Sequence, residues 1–445
     1  MAVEVTLPTT PREWHKRVWT LTWPVIAANV TVPLVGVADV AVMGRLPEPG
    51  YIAAVTMGAA MFSAVYWLFG FLRTGTVGLG AQAFGRGEID ELVAIGLRAA
   101  AVALTLGAII VTLQWPLAYL LFGLFDAEHS IQKLAQTYYH IRIWGAPGLL
   151  LTFVQLGVLF SLQRMRDTLL LSIGLSITNL FLDIFFVLGL GLNVNGVAIG
   201  TLISEWGAAG FGFWLVHRAL RENGWSTQLP KIWVAKKIRA LFHVSSNLVL
   251  RTFFVQLPFF AGTVLATSLG TTTLAVHGVL MQLFFVMAFS QDGFAHTAET
   301  LSGYSYGSRQ PQGIRNTTHY CALWGLIFAG VTGSIYWFAG DFIIAFLTTS
   351  PDIQAQASEY LGWIAITPLL CVYAFLYDGV FIGTTHIVDM RNAMILAACA
   401  WLICMVLTFE ALGYHAIWAS MSVFMVVRAI LLRLRYPKIV MSARA

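Results

Sequence analysis

Polar residues with the potential for chemistry interrupt three long apolar runs in the first half of the sequence. Asp39 lies in the first run, Asn179 and Asp183 lie four residues apart in a later one, and Thr201 lies in the next. Residues four apart share one face of a helix. A carboxylate at the centre of a membrane helix costs about 2.5–3.5 kcal/mol on insertion scales, so acids in such runs need a compensating role.

Two chemical roles fit this set, and one structural role competes with them. Buried carboxyl groups that repel one another hold protons more tightly than exposed ones, which suits Asp39 and Asp183 to proton transfer. Carboxylate, amide and hydroxyl oxygens are also ligands for a small cation such as Na⁺. The structural alternative is a hydrogen-bonded clamp, because polar groups commonly join membrane helices.

Further candidate residues lie outside this set, and we treat them as second-tier candidates. Glu205 follows Thr201 by one helical turn and shares its face. In the second half, Asp292 and Asp378 each precede a glycine inside an apolar run, where pairing with an arginine and lining a cavity are both open. Pro24 lies fifteen residues before Asp39 and predicts a kink, because proline removes a backbone hydrogen bond; the kink is either a hinge or static.

The composition shows which environment must hold these residues. Of the 445 residues, 58% are hydrophobic and 11% are charged, whereas a soluble domain carries about 25% charge. The chain is therefore expected to be an all-α polytopic membrane protein. The sequence has no phosphate-binding GxxxxGK[ST], no HExxH and no recognisable nucleophile–base set, so we expect no ATP, no metal cofactor and no enzymatic activity.

Apolar runs of about 20 residues, the length needed to cross a bilayer, predict twelve transmembrane spans. They are 18–44, 51–81, 92–114, 137–161, 168–190, 196–217, 240–268, 274–302, 315–338, 358–383, 392–412 and 416–434.

Lysine and arginine predict the orientation of these spans. Outside the spans, nearly all basic residues lie on the side of the two termini, and the other side holds only Arg45 and Lys133. The positive-inside rule places both termini in the cytoplasm and explains the net charge of +5 without nucleic acid as a partner. Five arginines fall within or near span ends, where most are expected to reach the membrane surface: Arg73, Arg98, Arg142, Arg251 and Arg428.

The sequence also repeats at a shift of 222 residues. Phe62 aligns with Phe284, Gly85 with Gly307, and Asp167 with Asp389, without a gap from the second span to the loop after the fourth. We therefore expect two six-helix bundles, related by a pseudo-two-fold axis along the membrane normal, with a substrate cavity between them. The predicted domains are an N-lobe (1–217), a cytoplasmic linker (218–239) and a C-lobe (240–445).

The repeat separates framework residues from candidate functional ones. Asp39, Asn179, Asp183 and Thr201 align with Ala261, Trp401, Met405 and Val423, so the polar set belongs to the first half alone. At 1.5 Å per residue, its members fall at similar depths in the outer half of the membrane. This agreement in depth predicts that they meet.

Several segments together resemble the multidrug and toxic compound extrusion (MATE) transporter family over nearly the whole chain, most closely its DinF-type bacterial branch. They are Trp23-Pro24, NVTVPLVGVADVAVMGRL (29–46), AQAFGRG (81–87), ITNLFLDIFFVLGLGLNVNGVAIGT (177–201) and DGVFIGTTHIVDMRN (378–392).

The resemblance implies roles for particular residues. It implies a cation site in the first lobe, formed by Asp39, Asn179, Asp183 and Thr201. It also implies that the first helix bends at Pro24 when Asp39 is protonated. NorM-type relatives pair an acid of the seventh helix with one of the tenth. Here Gln256 stands near the first position while Asp378 persists, which favours coupling in the first lobe.

These observations imply a bacterial inner-membrane antiporter that exports small organic cations by alternating access. Protons are the expected coupling ion, no cofactor is expected, and the expected form in the lipid bilayer is a monomer. Two alternatives remain: Na⁺-coupled export through the same site, and a lipid-linked oligosaccharide flippase of the same superfamily. The flippase would need a more cationic cavity than the buried acids suggest.

Overall fold

The computed structural model describes residues 7–43, 50–123, 128–226 and 230–444, except for the side chains of residues 30–41, 43 and 64. This part of the chain is almost entirely helical and contains no strand, which confirms the all-α class. The helices are, in order, α1 (Pro11–Met43), α2 (Gly50–Trp67), α3 (Phe71–Gly85), α4 (Ile89–Thr112), α5 (Gln114–Phe122), α6 (His129–Arg142), α7 (Ala146–Ser161), α8 (Met165–Asp183), α9 (Asn193–Glu222), α10 (Ala235–Ser268), α11 (Thr271–Gly307), α12 (Pro311–Leu347), α13 (Pro351–Glu359), α14 (Leu361–Gly383), α15 (Ile387–Leu412) and α16 (Tyr414–Ser442).

The helices match the predicted spans. Within the described residues, eleven helical stretches are long and apolar enough to cross a membrane, and each overlaps one predicted span. The remaining span, 18–44, falls on α1, which is 33 residues long. Single 3₁₀ turns join α2 to α3 and α6 to α7 within continuous stretches. The short helices α5 and α13 were not predicted, because nine residues are too few to show an apolar period.

The beginning of α1 follows a local sequence signal. The Thr10 hydroxyl accepts a hydrogen bond from the backbone N–H of Glu13 (3.3 Å), and the Glu13 carboxylate accepts bonds from the N–H groups of Thr10 (3.4 Å) and Thr9 (2.9 Å). Pro11 occupies the first helical position, where its missing N–H costs nothing. This reciprocal arrangement is a capping box, which satisfies N–H groups that the first turn leaves unpaired.

The described chain divides into two compact units, each with its own apolar core. Unit 1 contains Ala27–Phe242, and unit 2 contains Thr6–Ile26 and His243–Ala445. Tyr138 and Leu150 are completely buried in unit 1, as are Leu280 and Phe424 in unit 2. The predicted lobe boundaries at 217 and 240 stay predictions beside this division.

Most of the arginines near span ends pair with an acid. Four of the five make ion pairs: Arg98 with Glu91, Arg142 with Glu205, and both Arg251 and Arg428 with Asp378. An acid nearby lowers the cost of holding a guanidinium within a membrane span, and the expectation that these side chains reach the membrane surface stays a prediction.

Candidate functional site

Three of the four first-tier residues come together on α8 and α9. Asn179 and Asp183 lie one turn apart on α8, and their side chains are 1% and 0% exposed. The Asn179 amide nitrogen donates a hydrogen bond of 3.1 Å to the hydroxyl of Thr201 on α9, and Thr201 is 6% exposed. The predicted meeting of these residues is therefore present for this pair. The Asn179 side-chain oxygen is buried and has no hydrogen-bond partner among the described residues.

A glycine allows α9 to approach the Asp183 carboxylate. A Cβ atom at Gly200 would lie 2.4 Å from Asp183 Oδ1 and 3.3 Å from the Asp183 backbone nitrogen. Gly196, one turn earlier, lies equally close to α8, since its Cβ would meet Val187 and Phe186 at 3.0–3.1 Å. Small residues spaced by four let membrane helices pack backbone to backbone. The two glycines thus hold Asp183 against the adjacent helix.

Asp183 is also the last α-helical residue before a change of helix type. Ile184–Gly189 forms a π-helical segment, continued by hydrogen bonds from the Leu190 N–H to Phe185 (3.0 Å) and from the Leu192 N–H to Phe186 (3.0 Å). Such segments are rare, and they occur frequently at functional sites because they shift the direction in which side chains point. The sequence analysis gave no sign of this segment, since apolar periodicity does not resolve a single wide turn.

Glu205 joins a different group of residues in unit 1. Its carboxylate lies 3.6 Å from the Arg142 guanidinium, and Glu205 is 3% exposed. Arg142 also donates a 2.8 Å hydrogen bond to the Tyr138 hydroxyl and lies 4.7 Å from the centroid of the Phe62 ring. A Cβ at Gly145 would overlap the Glu205 carboxylate, so that glycine makes room for the acid. The ion pair is part of the packing of α6 against α9, and the second carboxylate oxygen of Glu205, Oε2, is buried with no hydrogen-bond partner among the described residues.

Of the helix-1 candidates, one is described and one is not. The Asp39 side chain lies outside the described residues, although the α1 backbone includes its position. Pro24 is described and buried. It lies two residues after Thr22, whose hydroxyl forms a hydrogen bond with the hydroxyl of Thr297 on α11 at 2.8 Å. Pro24 therefore lies close to a hydrogen bond that ties α1 to α11 within unit 2.

Further contacts hold the first half of α1 in unit 2. The Trp324 indole N–H donates a 3.0 Å hydrogen bond to His15, and Trp14 stacks on Tyr320 with ring centroids 5.8 Å apart. Residues from Ala27 onward belong to unit 1. The helix consequently passes from one compact unit to the other three residues after Pro24.

The second-unit candidates differ in their surroundings. Asp378 is 6% exposed and makes ion pairs with Arg251 of α10 and with Arg428 of α16. Arg428 also interacts electrostatically with Asp292 of α11, which is half-buried. Of the two roles left open for Asp378, the structure shows the arginine pairing. Gln256 is half-buried in α10, and its predicted role stays a prediction.

Sequence reasoning missed the partners rather than the acids. The sequence places Arg142, Arg251 and Arg428 within or near spans but does not show their partners. Each of them pairs with an acid on another helix, 50 to 127 residues away along the chain. The signal that would have found them is that a charge inside a membrane needs an opposite charge nearby. The particular pairing depends on which helices pack together.

Comparison with known proteins identifies the class of this fold. The chain superposes on a solved outward-facing multidrug resistance MATE family transporter of the MOP superfamily with a TM-score of 0.85, covering 97% of both chains at 19% identity. The bent form of the Vibrio cholerae MATE transporter VcmN superposes with a TM-score of 0.83, covering 97% of this chain and 98% of that one at 18% identity. The chain therefore has the fold of these MATE transporters.

Sequence comparison identifies the family. The MatE family model matches residues 24–198 and 248–409. The chain is 36% identical to DNA damage-inducible protein F of Escherichia coli K12 over 415 residues, covering 93% of this chain and 90% of that protein. It is 23% identical to a probable multidrug resistance protein NorM of Acinetobacter baylyi, covering 76% of each. The chain belongs to the MatE (MATE) family, which confirms the resemblance inferred from the sequence motifs.

Proposed function

We propose that this protein exports small organic cations from bacteria in exchange for protons, using Asp39, Asn179, Asp183 and Thr201 as the coupling site. The observation that carries the proposal is the complete burial of the Asp183 carboxylate one turn from Asn179, which itself bonds Thr201 across α8 and α9. An acid that is withdrawn from water binds a proton or a cation more readily than it stays an isolated anion. The resistance named for the NorM relative supports a drug-like substrate.

The proposed cycle alternates access of the substrate site to the two sides of the membrane. When Asp183 is deprotonated, its negative charge attracts an organic cation from the cytoplasmic side into the substrate site. When a proton from outside neutralises Asp183, that attraction is lost and the cation leaves outward. The proton is then released on the inside, which returns the charge. Coupled exchange requires that the proton and the organic cation compete for the same carboxylate, so that binding of one excludes the other.

Helix α1 is the proposed moving part. Its first half is held in unit 2 by the Thr22–Thr297 hydrogen bond, and its continuation from Ala27 belongs to unit 1. Pro24 lies between these two sets of contacts and lacks the N–H that would stiffen the helix there. We propose that protonation of Asp39 favours a bend near Pro24. Pro24→Ala would restore that hydrogen bond and is expected to slow transport while leaving the acids in place.

The same oxygen atoms support a second candidate ion. The Asp183 carboxylate, the Asn179 side-chain oxygen and the Thr201 hydroxyl are hard oxygen ligands of the kind that Na⁺ prefers. A lipid-linked oligosaccharide flippase would instead need cationic groups facing the phosphates, whereas the α8–α9 cluster carries an acid and neutral polar groups. These features favour cation-coupled export of a cation over flipping of an anionic lipid.

The deciding experiment measures efflux of a fluorescent organic cation from proteoliposomes. A pH gradient and a Na⁺ gradient are imposed separately on wild-type protein, on Asp183→Asn and on the control Asp90→Asn, which removes an exposed carboxylate at the beginning of α4. Acceleration by the pH gradient, lost in Asp183→Asn and kept in the control, is the expected result.

The other outcomes separate the alternatives. Acceleration by Na⁺ alone would assign the cluster to sodium, and equal transport by Asp183→Asn and wild type would refute the coupling role. Export without response to either gradient would remove ion coupling altogether. We further propose an inner-membrane location with both termini in the cytoplasm and a monomeric functional unit, which cysteine accessibility at the termini and mass measurement in detergent would test.

A further inference from the structure

A groove on the surface of unit 2 has no place in the proposed transport cycle. It has a volume of about 1010 Å³ and lies where α12 and α16 flank α14. Its basic and aromatic lining consists of Arg315, Arg433, Arg444, His319, Tyr373, Tyr377 and Tyr436. The positive-inside rule assigns this end of the helices to the cytoplasmic side of the membrane.

The positive charge of this groove is not balanced by acids. None of its lining residues is Asp or Glu, and no ion pair among the described residues involves Arg315, Arg433 or Arg444. Elsewhere in unit 2 the arginines Arg251 and Arg428 do find a carboxylate, in Asp378. The groove therefore presents guanidinium groups that are free to bind an external anion.

Arginines from two helices line the groove together with Tyr436. Arg433 of α16 lies over the Tyr436 ring, 5.5 Å from its centroid. Arg315 comes from α12. Tyr377 and Tyr436 are 3% and 7% exposed and pack with their ring centroids 5.6 Å apart. The buried Tyr436 ring thus supports the Arg433 guanidinium at the groove. A planar guanidinium group donates two parallel hydrogen bonds to the oxygens of one phosphate.

Three exposed apolar side chains of α16 form a stripe along the same groove. Ile430, Leu434 and Met441 line the groove and are 53%, 70% and 63% exposed. They are spaced by four and seven residues along α16 and share one face of the helix. From Met441 to Ile430 the stripe extends about 16 Å at 1.5 Å per residue. A ligand that fits both parts has an anionic head and an apolar tail.

The internal repeat provides a comparison within the same chain. At the shift of 222 residues, Arg315, Arg433 and Arg444 align with Val93, Phe211 and Glu222. The equivalent positions in the first half are thus two apolar residues and one acid. Helix packing alone does not require the three arginines, because the first half builds the same kind of helix bundle without them.

We propose that this groove is a binding site for an anionic phospholipid of the cytoplasmic leaflet. Arg315, Arg433 and Arg444 supply the positive charge that attracts the phosphate, and an acyl chain follows the Ile430–Met441 stripe. Basic pockets between transmembrane helices on this side of a membrane are known to suit such headgroups. The site is distinct from the cation-coupling cluster on α8 and α9, and it does not depend on which ion drives transport.

The test is lipid binding to the full-length protein by native mass spectrometry in detergent. Dioleoylphosphatidylglycerol and dioleoylphosphatidylcholine are titrated against wild type and against the triple variant Arg315→Gln, Arg433→Gln and Arg444→Gln. The matched control removes three exposed charges of unit 2 that do not line the groove, in the variant Arg12→Gln, Arg309→Gln and Arg435→Gln. A third variant with lysine at the three groove positions retains the charge, and the single variants Arg315→Gln, Arg433→Gln and Arg444→Gln serve if the triple glutamine variant fails to fold.

The expected result is preferential binding of phosphatidylglycerol by wild type, weakened about fivefold per arginine and on the order of 100-fold in the triple variant. The control variant and the lysine variant should keep most of the preference. Equal loss in the control, or no preference for phosphatidylglycerol in wild type, would overturn the proposal. Glycerol 3-phosphate or inorganic phosphate that displaces the lipid at equal concentration would assign the groove to a soluble anion instead.

Discussion

The sharpest test of the site geometry is one substitution made at two positions of α9. Gly200 faces Asp183, where a new Cβ would lie 2.4 Å from the carboxylate oxygen, whereas Gly207 has no atom within 4 Å of the position its Cβ would take. Both glycines lie inside the same helix, so Gly→Ala brings the same gain in helix propensity at each, about 1 kcal/mol. The difference between the two variants therefore reports the contact with Asp183.

The magnitude follows from the crowding at Gly200. A Cβ that meets a carboxylate oxygen at 2.4 Å and a backbone nitrogen at 3.3 Å forces α8 and α9 apart, because the nitrogen cannot rotate away. Extra methyl groups in packed interiors cost about 1–3 kcal/mol, which offsets the propensity gain and leaves Gly200→Ala less stable than wild type by up to about 2 kcal/mol. Gly207→Ala should be more stable than wild type by up to about 1 kcal/mol.

The assay combines unfolding with transport. Reversible unfolding by SDS in mixed micelles gives the free energy of unfolding of wild type, Gly200→Ala and Gly207→Ala, and efflux from proteoliposomes gives the transport rate of each. We expect Gly200→Ala to lose stability and transport together, while Gly207→Ala keeps full transport. If the two variants are equally stable and transport equally well, α9 does not approach Asp183 as described, and the proposed position of the acid is wrong.

Three further predictions concern other parts of the chain. Asp378→Asn should lower the free energy of unfolding by about 3–5 kcal/mol, because it leaves two buried guanidinium groups without their acid, and adding Arg428→Met should recover part of this loss in SDS unfolding. Gly383→Ala should destabilise unit 2 by about 1–3 kcal/mol in the same assay, because its Cβ would lie 2.0 Å from a backbone carbonyl oxygen of α11. Hydrogen bonds from Thr9 and Thr10 lower the pKa of Glu13, so the first turn of α1 should lose protection in amide hydrogen exchange as the pH falls below the usual glutamate pKa, about 4.3.

Each of these predictions has its own control. For Asp378, a loss below about 1 kcal/mol would show that the two arginines find other partners. For Gly383, the matched variant is Gly330→Ala in α12, which has open space around its Cβ and should not be destabilised. For Glu13, the folded pKa lies below the unfolded one, so the stabilisation is present above the unfolded pKa and lost on acidification. Glu13→Gln should therefore abolish the pH dependence of exchange in this turn.

The transmembrane spans could be predicted because their cause is local, whereas the beginning of α1 at Pro11 was not predicted although its cause is local too. A bilayer sets the length of an apolar run, and each described helix that could cross a membrane overlaps a predicted span. The Thr10–Glu13 capping box depends on two residues three positions apart. The common burial of Asn179 and Asp183 follows from their spacing on a helix.

The sequence determined which polar residues lie inside the membrane, because composition and periodicity along the chain carry that information. Only the tertiary structure decided how they are paired: Asn179 with Thr201, Glu205 with Arg142, and Asp378 with two arginines. It also decided that Gly200 lies against Asp183. A pairing across helices depends on helix rotation and crossing, which arise from the packing of many side chains at once and leave no period in the sequence.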